Sequence, residues 1–213
     1  DIRFVDYGAS DGDTQLHLEA PVLGEAAPEL FEQPQLWEEG PRPESTALDV
    51  LGSVVHEVRE ANADSPLYDR PLLTRLTRLR GLFHRDLRAV CIPTRWNGHQ
   101  GVRLDERVVT SARELSDRTP APQEVRVVGG LDMIRHSTRS FALKLKEGTE
   151  VRGVLESFES VERIRHLLGE NVLVLGRAVY RPSGSVLRID ARAIELGEGQ
   201  PAIWEKIPPP RGE

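Results

Sequence analysis

The chain is poor in the residues that announce chemistry. It has one cysteine, one methionine, three Trp, three Tyr and five Phe among 213 residues. A single thiol excludes an intrachain disulfide, which fits a reducing compartment, and a cytoplasmic location is expected. Cys91 sits in the apolar stretch "RAVCIP", where a buried, inert thiol is expected rather than a nucleophile. No apolar run approaches the roughly 20 residues that cross a bilayer. The first residues carry no signal-peptide pattern, and no membrane partner is expected. The only methionine is Met133, so the numbering is expected to start inside a longer or trimmed product.

Catalytic and cofactor motifs are also scarce. The six histidines are His17, His56, His84, His99, His136 and His166. None shares metal-ligand spacing with a carboxylate or cysteine, and "VVHEV" lacks the second histidine of a zinc helix. "VVGGLDMI" has neither the glycine spacing nor the Lys-Ser/Thr of a phosphate loop. Asp132, Lys144 and Glu150 come nearest to a metal-dependent nuclease set, but their order and spacing do not fit. No catalytic residue, metal or cofactor is expected, and an enzyme is the least favoured class.

Charge is abundant and uneven. The net charge is −6. Residues 1–43 hold two Lys/Arg against ten Asp/Glu; residues 44–123 hold twelve against eleven, and residues 124–213 fourteen against thirteen. The acidity is therefore N-terminal. An acidic chain binds nucleic acid poorly unless cations mass locally, and neither later segment shows a large excess.

Alternating runs around "GASDGD" predict an acidic hairpin at the start, followed by an extended linker to residue 43, punctuated by Pro21, Pro28, Pro34, Pro41 and Pro43. Residues 44–118 read as a mixed domain with three helices. The first has Ser45 or Thr46 as cap and Leu48, Leu51, Val55 and Val58 on one stripe. The second has Asp69 as cap, Pro71 in its first turn, and Leu72, Leu73, Leu76, Leu79, Leu82 and Phe83 as its apolar face. "LRAVCIP" reads as a buried strand, Asn97-Gly98 as a turn, and "DERVVTSARELSD" as the third helix. Residues 119–123, with Pro120 and Pro122, read as a linker.

From residue 124 the period changes to that of strands. "EVRVVGGLDMI", "SFALKLKEG", "TEVRGVLES", "VLVLGRAVYRPSG" and "SVLRIDARAIEL" give five strands, with a short helix over "ESVERIRHLLGEN" between the third and fourth. The fold class expected is α+β: an N-terminal mixed helical and strand region, then a small five-stranded barrel over 124–199. In topology this segment resembles an OB-type (oligonucleotide- and oligosaccharide-binding) barrel. The resemblance implies that Gly129 and Gly130 let the first strand bend to serve both halves of the sheet, and that the helix plugs one end. Residues 200–213 read as a Pro-rich tail.

Two surfaces are candidates for binding. In the barrel, Arg135, His136, Arg139, Lys144, Lys146, Arg152 and Tyr180 would form a single-stranded nucleic-acid face, with loop 135–146 at its centre and Tyr180 as a stacking ring. Against this stands the row Arg188, Asp190, Arg192 on the last strand, whose mixed signs suit a solvated surface. Elsewhere, Trp37, Arg75, Arg78 and Trp204 are candidate partner-binding residues. Isolated aromatics in Pro-rich stretches need a groove, and the Arg75–Arg78 stripe suits either the chain's own acidic segment or a protein partner. The leading expectation is a non-catalytic binding or adaptor protein acting through protein–protein contacts; the alternative is a single-stranded nucleic-acid binder.

Overall fold

The computed structural model of the chain describes residues 2–10, 12–31, 41–83, 87–92, 101–146 and 148–197. The fold is mixed α+β: a closed five-stranded barrel, several helices and two small two-stranded ribbons. Trp37, the Asn97-Gly98 turn and Trp204 lie outside the described residues.

The Gly/Asp cluster does join two antiparallel strands, β1 (Arg3–Ser10) and β2 (Asp13–Glu19). The linker that follows is not extended throughout. Leu23–Ala26 forms a helical turn, α1, and Pro28–Leu30 a 3-10 turn. Backbone bonds from Leu23 N–H to Ser45 O (2.7 Å) and Gly24 N–H to Pro43 O (2.9 Å) supply tertiary partners that local propensity could not reveal.

Helix α2 (Ala47–Arg59) begins on a reciprocal cap: Thr46 Oγ1 accepts from Asp49 N–H, and the Asp49 carboxylate accepts from Thr46 N–H at 2.8 Å. It ends in a Schellman turn, with Ala61 N–H bonded to Val58 O and Asn62 N–H to Glu57 O, both at 3.1 Å. That turn places Ala61 at φ 51°, a conformation suited to glycine. Ala61→Gly is therefore expected to stabilise the fold by about 1 kcal/mol. Thermal unfolding should show this as a rise of about 2–4 °C in Tm; a fall would mean that the left-handed turn is not formed.

Helix α3 (Arg70–Thr77) starts at Asp69, whose carboxylate accepts from Leu72 N–H at 3.1 Å, with Pro71 in the first turn. Residues Arg78–Leu82 then tighten into a 3-10 turn. At three residues per turn the apolar stripe no longer stays on one side. Leu82, expected in the core, is 56% exposed. Strands β3 (Ala89–Ile92) and β4 (Val102–Asp105) pair antiparallel, and Asp105 caps α4 (Glu106–Arg118). Cys91 is exposed, not buried as expected. Among the described residues strand β3 pairs with β4 alone, and of its four residues only Ile92 is buried.

Val55, Val58, Tyr68, Leu73, Val108 and Leu115 form the core of this helical part. Tyr68 donates its phenolic hydrogen to Asn62 O. Burial, aided by the charges of Glu57 and Asp64, pushes its pKa from 10.0 to about 12. A raised folded value means that the protonated phenol contributes stability in full below pH 10, lost as pH climbs through about 12. Alkaline titration followed by tyrosinate absorbance should show two late tyrosines, Tyr68 and the buried Tyr180, and Tyr68→Phe should delete the step near pH 12. If that step survives the substitution, the assignment is wrong.

The barrel comprises β5 (Gln123–Arg135), β6 (Ser140–Lys144), β7 (Glu150–Leu155), β8 (Asn171–Tyr180) and β9 (Val186–Leu196). Its closed order is β5-β6-β7-β9-β8. All pairings are antiparallel except β7 with β9. Strand β5 pairs with β8 from Gln123 to Gly130 and with β6 from Gly130 to Arg135, so it changes partner at the glycine pair. A Cβ on Gly129 would sit 2.7 Å from Lys144 O, so a side chain there would block the closure. Val127, Leu131, Phe141, Leu143, Val174 and Ile189 fill the interior. Helix α5 (Phe158–Ile164) lies against this core through Val161 and Ile164. A bulge at Arg192 shifts the phase of β9, so that Ile194 rather than Ala193 is buried after Ala191.

The β8–β9 turn touches the helical part. Ser183 N–H bonds to Ala63 O at 3.1 Å, Ser185 Oγ to Asp64 at 3.3 Å, and Arg188 to Asp69 at 3.0 Å.

Candidate functional site

The arginines of the last two strands are all occupied within the chain. Arg177 and Arg192 share Glu124, at 3.3 and 2.9 Å. Arg188 bridges Asp190 (2.8 Å) and Asp69 (3.0 Å). Burial works against its charge, but the hydrogen bonds and charges of Asp190 and Asp69 outweigh it, so its pKa is raised. Arg181 donates to Val186 O at 2.8 Å. Beside them runs a groove of about 300 Å³ lined by Glu124, Arg139, Glu156, Arg177, Asp190 and Arg192. Three cations face three carboxylates there. Exposed pairs of this kind contribute under about 1 kcal/mol each, yet they remove the cationic excess that a phosphate backbone needs.

The residues expected to form a nucleic-acid face are spread from the β5–β6 turn to the far end of β6. Arg135, His136 and Arg139 lie at or beside the turn joining β5 to β6, and Lys144 is at the far end of β6, about 13 Å along the strand from Ser140. Lys144 stands opposite Glu150, which also lies 4.0 Å from Arg152; Lys146 follows the end of β6. Tyr180 is the clear correction. It is fully buried inside the barrel, in phase with Val172, Val174 and Ala178, so no base can stack on it. Its burial also raises its pKa.

The β5–β6 turn does gather something, around a residue the sequence left unassigned. Phe158, at the first position of α5, is 52% exposed. The Arg139 guanidinium lies 5.4 Å from its ring centroid and the His136 ring 5.4 Å from it. Arg139 is held tightly. Its backbone adopts φ 56°, Leu155 N–H donates to its carbonyl at 2.9 Å, and its guanidinium donates to Glu156 O. His136 lies 3.4 Å from Glu162, which Arg165 also approaches at 3.6 Å. Beside this cluster is a hollow of about 290 Å³ with Ile134, Val161 and Leu168 as its apolar lining. No sequence signal marks Phe158; its exposure follows from its place at the helix start, with Ser157 as the cap.

Arg75 and Arg78 are exposed on and just after α3, and their side chains have no partner among the described residues. Residues 8–12, Gly-Ala-Ser-Asp-Gly, have the Gly-x-Ser-x-Gly spacing of a hydrolase nucleophile elbow, which corrects the expectation that the sequence contains none. The strand that carries Gly8 and Ser10 is followed by the antiparallel strand β2, whereas the elbow requires a helix after its strand. Among the described residues no three His, Cys, Asp or Glu side chains converge as metal ligands would, and no helix is long and apolar enough to cross a membrane.

No protein-family model matches the chain, and a search of the curated proteins finds no match.

Proposed function

We propose that the chain is a non-catalytic, cytoplasmic binding protein that works through protein–protein contacts and is built on an OB-type barrel. Support for the barrel type comes from its closed strand order, the parallel pairing of the third strand with the fifth, and the helix between the third and fourth. The observation that carries the functional reading is the pairing of Arg177, Arg188 and Arg192 with Glu124, Asp190 and Asp69. In OB barrels the loop between the last two strands commonly contacts the ligand; here that loop meets Ala63 and Asp64 of the same chain.

One observation favours the second reading, a single-stranded nucleic-acid binder. Phe158 is an exposed ring flanked by Arg139 and His136, a combination on which a base could stack. Anisotropy titrations of labelled single-stranded DNA and RNA, from about 50 to 200 mM salt, separate the two. The protein-binding reading expects no saturable binding at about 150 mM salt. Saturable binding that weakens steeply with salt and is lost in Phe158→Ala and Arg139→Ala would overturn it in favour of the second.

A further inference from the structure

Among the described residues the β1–β2 hairpin packs extensively on no other element, and a two-stranded hairpin alone is marginal in water. It nevertheless has a well-defined apolar side. A bulge at Val5 sets Phe4 opposite Leu18 and Tyr7 opposite Leu16. Residues 16 and 18 share one side of β2, so all four side chains project together. The other side pairs Arg3 with Glu19, Asp6 with His17 and Gly8 with Gln15. Tyr7 is 73% and Phe4 60% exposed, and Leu16 and Leu18 are exposed beside them. A contiguous patch of a few hundred Å² is the size that marks a recognition surface. Residues 1–20 carry five carboxylates against one arginine, a net −4.

The α3 segment has the opposite character. Residues 70–83 hold four arginines and no carboxylate, a net +4. Arg75, Arg78 and Arg80 are exposed, their side chains have no partner among the described residues, and Leu82 is exposed next to them in sequence. Arginine suits an aromatic, leucine-rich face, because its guanidinium stacks on rings while its stem covers apolar surface.

We propose that the β1–β2 hairpin of one copy docks on the α3 arginine face of a second copy of this chain. Charge selects this pairing: hairpin against hairpin sets −4 against −4, arginine face against arginine face sets +4 against +4, and only the mixed contact attracts. Asp6, Asp13 and Glu19 lie on the far side of the ribbon, one strand's thickness from the apolar side, so the attraction acts across about the 10 Å screening length of 0.1 M salt and is salt-sensitive. Area favours a reciprocal exchange. Stable complexes bury roughly 800 Å² per partner, and exchanging two hairpins doubles the area that one would bury. A two-fold dimer that exchanges hairpins uses both surfaces of each chain. The inference stands apart from the barrel, since oligonucleotide binding there would leave it intact.

Sedimentation velocity of the full chain tests it. The expected result is a concentration-dependent dimer of twice 23.8 kDa that dissociates as salt rises. Tyr7→Ser/Leu16→Ser and Arg75→Glu/Arg78→Glu should each shift the chain to monomer, with the thermal unfolding that the parent shows when diluted below its dimerisation range. Mixing the two variants should restore association, weaker than that of the parent chain, because one intact hairpin then meets one intact arginine face. Neither hairpin–hairpin nor helix–helix contact gives that recovery. A parent chain that stays monomeric, a dimer indifferent to both substitutions, no recovery on mixing, or growth beyond a dimer would each overturn the proposal.

Discussion

Replacing Gly153 with alanine is expected to destabilise the fold by about 3 kcal/mol, near the upper end of overpacking costs. Gly153 lies on β7 directly across from Phe141 on β6, and on its other side pairs with Ile189 of β9. A Cβ there would enter the Phe141 ring and stand 2.8 Å from the Ile189 carbonyl oxygen. The ring is fully buried and surrounded by interior side chains, so it cannot swing away into solvent. The carbonyl belongs to the strand that closes the barrel and cannot move without disturbing the parallel pairing. Thermal unfolding should record a fall of about 6–12 °C, at the usual 2–4 °C per kcal/mol for a chain of this size. Phe141→Leu alone should also destabilise, by removing aromatic packing. Combined with Gly153→Ala, however, it should cost less than the two losses added, because the ring clash has been removed. A coupling of about 1 kcal/mol is within the range for contacting residues. A Gly153→Ala protein within 1 kcal/mol of the parent would show that the ring does not lie over that glycine.

The same pair shows what sequence could and could not disclose. Alternation of Phe141, Leu143 and Leu145 predicts a strand with one buried side, and the glycine pair at 129–130 predicts a bend; both are local signals, and both are present. Helix starts were equally legible, because Asp69 and Thr46 are short polar residues just ahead of an apolar stripe. Bulges were not. One extra residue at Val5 or Arg192 inverts the alternation beyond it, and nothing in the residue type announces it. Tyr180 was misplaced for a related reason. Apolar residues line both sides of β8, with Leu173 and Val179 buried on one and Val174 and Ala178 on the other, so periodicity alone does not say which way a tyrosine at its end will point. The candidate site was the least legible part. Phe158 gains its neighbours from a turn nearly twenty residues earlier, and the neutralised arginines of β8 and β9 find carboxylates as far away as Asp69. A sum of charges along the chain gives near balance, and only the fold decides whether balance means pairing.

Asp69 is where that long-range pairing should cost most to break. One carboxylate oxygen caps α3 through Leu72 N–H at 3.1 Å; the other accepts from Arg188 at 3.0 Å, joining the helical part to β9. Asp69→Ala removes both roles. The lost cap costs about 1 kcal/mol. The charge-assisted hydrogen bond adds about 1 kcal/mol after allowance for the partial exposure of Arg188. The expected loss is therefore about 2 kcal/mol in urea unfolding. Asp69→Asn separates the two contributions: asparagine caps as well as aspartate, so its loss of about 1 kcal/mol reports the ion pair alone. Arg188→Met should then make Asp69→Asn nearly silent, whereas it should leave the capping part of Asp69→Ala intact. The break should also be seen at a distance. Ser183 N–H is bonded to Ala63 O across the same boundary, and its hydrogen exchange should accelerate in Asp69→Asn if the turn and the helical part are held together by Arg188. Unchanged exchange at Ser183, with a stability loss confined to Asp69→Ala, would reduce Asp69 to a helix cap and free the β8–β9 turn from the role assigned to it above.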